Sequence, residues 1–516
     1  MIADFKQNGV VPVLEHDTGM LSPYQVVGLA ASNRSPGYGL FMKQGTGKTP
    51  IAVVSVCHHA QKVDGQYRAI VVCPPNVRLN WQREFDHFST EKVDCHIIRG
   101  SQINRISQLV RAIKSKERIV VIVCNYETLQ GTWDAISLIK FNKGILDEAQ
   151  YIKSSKTKRW EFVKKLRDNC DTRLVLTGTP IANTVMDLWT LFEFMGEGFS
   201  GFITFEGFKK YFGQFRKTEH GDVFTQAQNL PILKDRIARF SYVVTKEEAM
   251  PYLPQKTYDV IEVEMEQDQA EAYAKLRDEL IIEVEAALNT SENEALTVNN
   301  VLVQLLRLSQ ITSSFKVIPA VYDKEGGGLI SPRTVIPFEK NIKVQAILDL
   351  LPEKGPNDKT IIWSNWVEDI EAVAAALRAA GETVATFYGN TSFEDRIEAE
   401  RMFNEEPSCR WFIGNPAAGG TGLTLLGYNP KLDPDTQLSN CTHTIYMSKD
   451  WSSLKREQSE DRGHRRGSRV PMRISDVMVP NTIDTVIDTR VADKRTNANS
   501  VLDLRDILAD IRGALL

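Results

Sequence analysis

The stretch Met42-Lys43-Gln44-Gly45-Thr46-Gly47-Lys48-Thr49-Pro50 brings two glycines, two lysines and two hydroxyls into one short run. That grouping suits phosphate chemistry. A polyphosphate needs a turn whose backbone N–H groups point inward, a helix N-terminus behind it, a lysine, and a hydroxyl for a divalent cation. Gly45, Thr46 and Gly47 supply the permissive loop, Lys48 the cation and Thr49 the hydroxyl. Pro50 suits the first helical turn, and Ile51 to Cys57 reads as a buried helix behind the loop. The usual signature opens with a glycine where this chain has Met42. The strict pattern therefore fails, and an ordinary glycine-rich turn stays open at this point.

Two further groups follow apolar runs. Gly144-Ile145-Leu146 leads into Asp147-Glu148-Ala149-Gln150. A strand ending in adjacent carboxylates exposes them where α/β sheets place ligands. One carboxylate can hold Mg²⁺ while the other orients or deprotonates a water. Alone, the pair is equally a solvated turn; after a phosphate loop it becomes a candidate catalytic centre. Leu176 precedes Thr177-Gly178-Thr179-Pro180, two hydroxyls flanking a glycine.

The elements that must carry these groups are short β-branched runs: 69–73, 119–124, 144–146 and 173–176, then 360–363, 383–387, 410–413 and 443–446. Runs of this kind suit strands buried on both faces of parallel sheets, so two α/β domains are expected. Between them, residues 262–310 carry helical periodicity, with acidic Glu279, Glu283 and Glu285 on a solvated face and an apolar series Leu302, Leu305, Leu306, Leu308. Gly326-Gly327-Gly328 reads as a surface loop or an interdomain hinge.

At 516 residues the chain has room for several cores. A net charge of −4 gives no overall case for a polyanion partner, so any nucleic-acid surface must be a local patch. Seven cysteines without C-x-x-C pairing read as reduced core residues, and no structural zinc is expected. No basic-then-apolar leader and no membrane-length apolar run is seen, so the expected location is cytoplasmic, or nuclear in a eukaryote, not secreted and without a membrane partner.

Taken in order, the motifs resemble those of superfamily 2 helicases, and in particular the SWI/SNF-like ATPases. Leu21-Ser22-Pro23-Tyr24-Gln25 resembles the adenine-reading motif of that family, and Gly45 to Thr49 its phosphate loop, which does not require the first glycine. Trp81 after Cys73-Pro74-Pro75, Asn125 in Asn125-Tyr126-Glu127-Thr128, the Asp-Glu box and Thr177-Gly178-Thr179 resemble the other first-lobe motifs. Gly419-Gly420-Thr421-Gly422, Trp451, and Gln458 through Arg462 to Arg465 resemble those of the second lobe. Three departures stand out: Ser452-Ser453 for the usual Asn-Pro, Arg466-Gly467-Ser468 for the usual Ile-Gly-Gln ending, and Gln150 for His.

The resemblance implies an α/β fold of two RecA-like parallel-sheet lobes with helical insertions between them: lobe 1 at 1–250 with a helical protrusion, a helical insertion and linker at 251–335, and lobe 2 at 336–516 with a C-terminal helical segment. It implies a DNA-dependent ATPase using ATP and Mg²⁺. Gln25 would meet the base, Gly45 to Thr49 and Gly422 the nucleotide, Thr49 and Asp147 the metal, and Glu148 the water. Lys48, Arg462 and Arg465 would stabilise transferring charge. Trp81, Asn125, Thr177, Gly178, Thr179, Gly419, Gly420, Thr421, Trp451 and Gln458 would contact nucleic acid or couple it to ATP. The expected activity is translocation on double-stranded DNA that displaces or remodels bound protein, with a possible protein partner setting the target. Rival readings are a strand-separating or annealing helicase, a non-hydrolysing DNA-binding scaffold, and a small-molecule kinase, which would leave the second lobe unexplained.

Overall fold

The computed structural model describes residues 20–218, 221–289, 294–322, 329–389, 391–419, 423–428 and 440–496, with Ile2, Lys6 and Gln7. The glycine run 326–328 lies outside them. The chain divides into two units, Met1–Tyr252 and Leu253–Leu516.

In the first unit, helix α1 (Pro23–Ser32) precedes strand β1 (Gly37–Met42) and helix α2 (Lys48–Ala60). There follow β2 (Tyr67–Cys73), α3 (Arg78–Phe88), β3 (Val93–Ile97), α4 (Gln102–Ile113), β4 (Ile119–Asn125), β5 (Phe141–Leu146), β6 (Cys170–Thr177) and β7 (Ser241–Val244). They form one parallel sheet in the order β3-β4-β2-β5-β6-β1-β7. Strands β2 and β4 are buried almost throughout, the signature of a sheet covered on both faces. Because β5, β6 and β1 are neighbours, the three segments that follow them emerge side by side at one sheet edge. That order turns motifs about a hundred residues apart into one site.

The second unit repeats the plan with β8 (Lys256–Glu262), β9 (Asp358–Trp363), β10 (Thr383–Phe387), β11 (Cys409–Gly414), β12 (Asn440–Tyr446) and β13 (Met472–Met478), all parallel, in the order β8-β13-β12-β9-β11-β10. The expected separate segment 251–335 therefore begins differently: Lys256–Glu262 is a strand of the second sheet, paired along its length with β13. Its alternation of half-buried and exposed positions, as an edge strand, hid it from a search for continuous apolar runs.

Helices α5 (Gln267–Asn289) and α6 (Glu294–Thr312) then pack with α8 (Ile483–Thr496) through Tyr273, Leu280, Leu305, Leu308, Ile483 and Ile487. Leu305 and Leu308 of the anticipated apolar series are buried, whereas Leu302 and Leu306 are exposed. All seven cysteines are free thiols, six of them buried.

One charged contact locks this unit. Lys343, fully buried, donates to Asp484 Oδ2 and to Met447 O, both at 2.8 Å, while Asp484 Oδ1 accepts from Thr312 Oγ1 at 2.9 Å. Removing one partner of a buried pair strands the other charge, at a cost of about 3–5 kcal/mol. Lys343→Met should lower the unfolding free energy of this unit by that order in urea titrations, and adding Asp484→Asn should recover part of the loss.

Candidate active site

The phosphate loop is shaped by its glycines. Gly45 and Gly47 hold φ of 75° and 82°, in the left-handed region that side chains rarely adopt. A Cβ on Gly47 would also lie 2.1 Å from Gln25 Nε2. Helix α2 begins at Lys48, so its unpaired N–H groups open onto the loop. The Lys48 ammonium folds back to donate to Met42 O at 2.9 Å and Lys43 O at 3.3 Å. Thr49 follows, half-buried, in the first turn.

Gln25 braces this loop. Its Nε2 donates to Gly47 O at 3.1 Å and its Oε1 accepts from Ser22 N at 2.8 Å, while the Tyr24 hydroxyl donates to Thr46 O at 2.8 Å. The side chain expected to meet a base is buried, with its amide engaged with the loop and its own helix cap.

At the end of β5, Glu148 is buried and Asp147 half-buried, and the pair is held by donors from three segments. Trp81 Nε1 donates to Asp147 Oδ2 at 2.9 Å, and the Glu148 N–H donates to Asp147 Oδ1 at 2.9 Å. Gln44 Nε2 donates to Glu148 Oε1 and Gln150 Nε2 to Glu148 Oε2, each at 2.8 Å. Glu148 adopts φ 48° and ψ 53°, a left-handed conformation costing a non-glycine residue about 1–3 kcal/mol. The crossed hydrogen bonds to its carboxylate hold it there. Burial, and then the neighbouring Glu148 charge, push the Asp147 carboxyl up to about 6, against the opposing effects of the Trp81 hydrogen bond and the Lys48 charge.

The third segment joins the first two. Thr177, fully buried, donates through Oγ1 to Gln150 Oε1 at 2.8 Å and accepts from Thr179 N at 3.0 Å. A Cβ on Gly178 would press on Gln44 N and Met42 O at 3.3 and 3.4 Å, so glycine keeps β6 close to the phosphate loop. Trp81 and Thr177 are both buried and hydrogen-bonded to groups of the site itself. Asn125 caps the following short helix, its Oδ1 accepting from Thr128 N at 3.1 Å.

In the second unit, helix α7 (Ser453–Gly463) carries Gln458 and Arg462, both buried. Arg462 Nη1 and Arg465 Nη1 each donate to Leu423 O at 3.2 Å, and Arg465 also donates to Thr424 Oγ1 at 2.8 Å. Two guanidinium groups thus converge just beyond the glycine-rich run. Arg465 is the less buried of the two. Gly419 closes a short helix, and Gly420, Thr421 and Gly422 lie outside the described residues. Trp451 packs, half-buried, on the cluster of Tyr273 and Ile483. A residue that sequence reasoning missed is Arg456, which pairs with Glu460 at 2.8 Å and lies 3.5 Å over the Tyr446 ring, anchoring α7 to the sheet. Gln44 was also missed, since its position in the loop carries no residue-type signal.

Residues 30–316 match the SNF2-related domain, and residues 342–467 the helicase conserved C-terminal domain. The first match alone spans more than half of the chain. The chain belongs to the SNF2-related family. Among curated relatives of this SNF2-related chain, an uncharacterized ATP-dependent helicase of Mycoplasma genitalium is 24% identical over 86% of this chain and 38% of its own length. Bacillus subtilis YwqA, provisionally described as an ATP-dependent helicase/translocase, is 25% identical over 96% of this chain and 50% of its own. The ISWI chromatin-remodeling complex ATPase ISW2 of Saccharomyces cerevisiae is 25% identical over 92% and 40%. The chain therefore spans half or less of the length of these relatives.

The raised Asp147 carboxyl makes a sign-specific prediction. Its ordinary value is 3.8, and the fold holds it near 6, so the folded protein binds more protons than the unfolded chain between these limits. Stability should therefore fall as pH rises through that window, and the cost is complete above it. Asp147→Asn keeps an acceptor for Trp81, removes the charge and turns its N–H₂ towards the Glu148 N–H, a loss that does not vary with pH. Urea unfolding should show its stability relative to the wild type gaining about 1–3 kcal/mol from acid pH to neutrality. A difference that does not vary with pH would remove this charge as its source.

Proposed function

We propose that this chain is an ATP-hydrolysing motor that translocates on double-stranded DNA and displaces or remodels bound protein. The observation that carries the hydrolytic part is the Gln44–Glu148 hydrogen bond at 2.8 Å, which puts a carboxylate beside the phosphate loop. The loop N–H groups and Lys48 would hold the phosphates, Lys48 exchanging its loop carbonyls for phosphate oxygens. Glu148 would take the proton of the attacking water, and a γ-phosphate displacing Gln44 would free it to do so.

The site also fits a divalent cation. The carboxylates of Asp147 and Glu148 stand side by side near Lys48, and Thr49 and Asp147 are hard oxygen donors. Mg²⁺ there would neutralise charge on the phosphate oxygens. The reading of duplex remodelling is supported by the ordered motif set and by the relatives described as a helicase/translocase and a chromatin-remodeling ATPase. Target choice would come from a protein partner.

The test is the ATP hydrolysis rate with no polymer, double-stranded DNA, single-stranded DNA and RNA. Double-stranded DNA should stimulate most, and Lys48→Ala should abolish hydrolysis with every polymer while leaving DNA binding largely intact. Stimulation chiefly by single strands would favour a strand-separating helicase, and chiefly by RNA would overturn the duplex reading.

Arg465 is proposed as the arginine finger that stabilises the γ-phosphoryl charge when the second lobe closes on the nucleotide. Such residues contribute roughly 10³- to 10⁵-fold in rate. Arg465→Ala should leave ATP affinity near wild type and abolish the DNA-stimulated rate, with no rescue by Arg465→Lys. Stimulation surviving within a few-fold would pass the role to Arg462.

A further inference from the structure

Helix α4 presents an apolar seam to solvent. Ser101 caps its N-terminus, and Leu109 and Ala112 bury one side in the core of the first unit. Beside that buried side stand Ile103, 82% exposed, and Ile106, Val110 and Ile113, each between 37% and 46% exposed. Their spacing of three, four and three residues places them in one stripe about 15 Å long. At 100° per residue the four occupy an arc of roughly 80°, narrower than a face that covers a core and matching the a/d seam of a coiled coil. All four are β-branched, which stiffens the stripe and lowers the entropy lost when it is covered.

The charge on the helix itself has one sign. Residues 95–116 contain Arg99, Arg105, Arg111, Lys114 and Lys116 and no Asp or Glu, while beyond the helix Asp94 accepts a hydrogen bond from Ser115 and Glu117 pairs with Lys92. Arg111, Lys114 and Lys116 are exposed. Two copies of α4 laid together would therefore oppose like charges, which disfavours self-pairing through this face. An anionic membrane suits a basic helix, but it calls for a broad apolar face with Trp, Phe or Leu at the boundary, and this seam is narrow and without aromatics. Complementarity selects an acidic helix with apolar residues at the same spacing.

We propose that α4 docks an amphipathic, acidic α-helix of a partner protein through Ile103, Ile106, Val110 and Ile113, with Lys114, one turn after Val110 at the seam's edge, and the positive charge of the helix as a whole setting its charge preference. The surface lies on one unit and is independent of ATP hydrolysis, so its test stands apart from that of the motor. The probe is a synthetic coiled-coil peptide with Ile and Leu at a and d and Glu on the flanks, compared with the same peptide carrying Lys for Glu. Binding to the full chain is followed by fluorescence anisotropy. The acidic peptide should bind and the basic one should not. Ile106→Ser with Val110→Ser should weaken the acidic peptide roughly tenfold or more. Arg111→Glu with Lys114→Glu should reverse the preference. All four positions are exposed, so thermal unfolding and ATP hydrolysis should stay at wild-type levels in both variants. The proposal is overturned if neither peptide binds, if both bind alike, if the serine pair leaves affinity unchanged, or if anionic phospholipid vesicles rather than the peptide show the seam-dependent binding.

Discussion

Two adjacent carboxylates, one buried and one half-buried, must be held side by side, and much of the first unit is arranged around that constraint. Like charges side by side in low dielectric disfavour one another's ionisation, and the elevated Asp147 carboxyl records it. Each carboxylate is met by donors aimed from a different element: the Trp81 indole from α3, Gln44 from the phosphate loop, and Gln150 from the turn after β5. The strained backbone of Glu148 is a by-product of satisfying both of its oxygens at once.

The sheet order makes this arrangement possible. With β1, β6, β5 and β2 side by side, four loops share one edge, and a chain of hydrogen bonds runs from Thr177 through Gln150 and Glu148 to Gln44. Gln150 extends this chain because its amide both donates to Glu148 and accepts from Thr177. Any movement of the phosphate loop is felt at the β6 turn through directional contacts.

Much of this was legible in the residues. Gly45, Gly47, Lys48, Asp147 and Glu148 carry their chemistry in their types, and the continuous apolar strands β2, β4 and β6 announced a sheet covered on both faces. What escaped was set by tertiary pairing. Nothing local tells that Trp81 will reach a carboxylate 66 positions away rather than lie open for stacking. Likewise nothing local tells that the Gln25 amide will brace the phosphate loop. Strand β8 was missed because an edge strand has polar and exposed positions that break the apolar run, and β1, Gly37-Tyr38-Gly39-Leu40-Phe41-Met42, because two glycines dilute it.

The lysine of the phosphate loop already has its ammonium turned inward onto Met42 O and Lys43 O. Most of its hydration is therefore surrendered during folding, before any ligand arrives. An incoming anion must outcompete two carbonyl dipoles rather than water. A multiply charged anion that met several loop N–H groups at once would be better placed to make that exchange than a singly charged one.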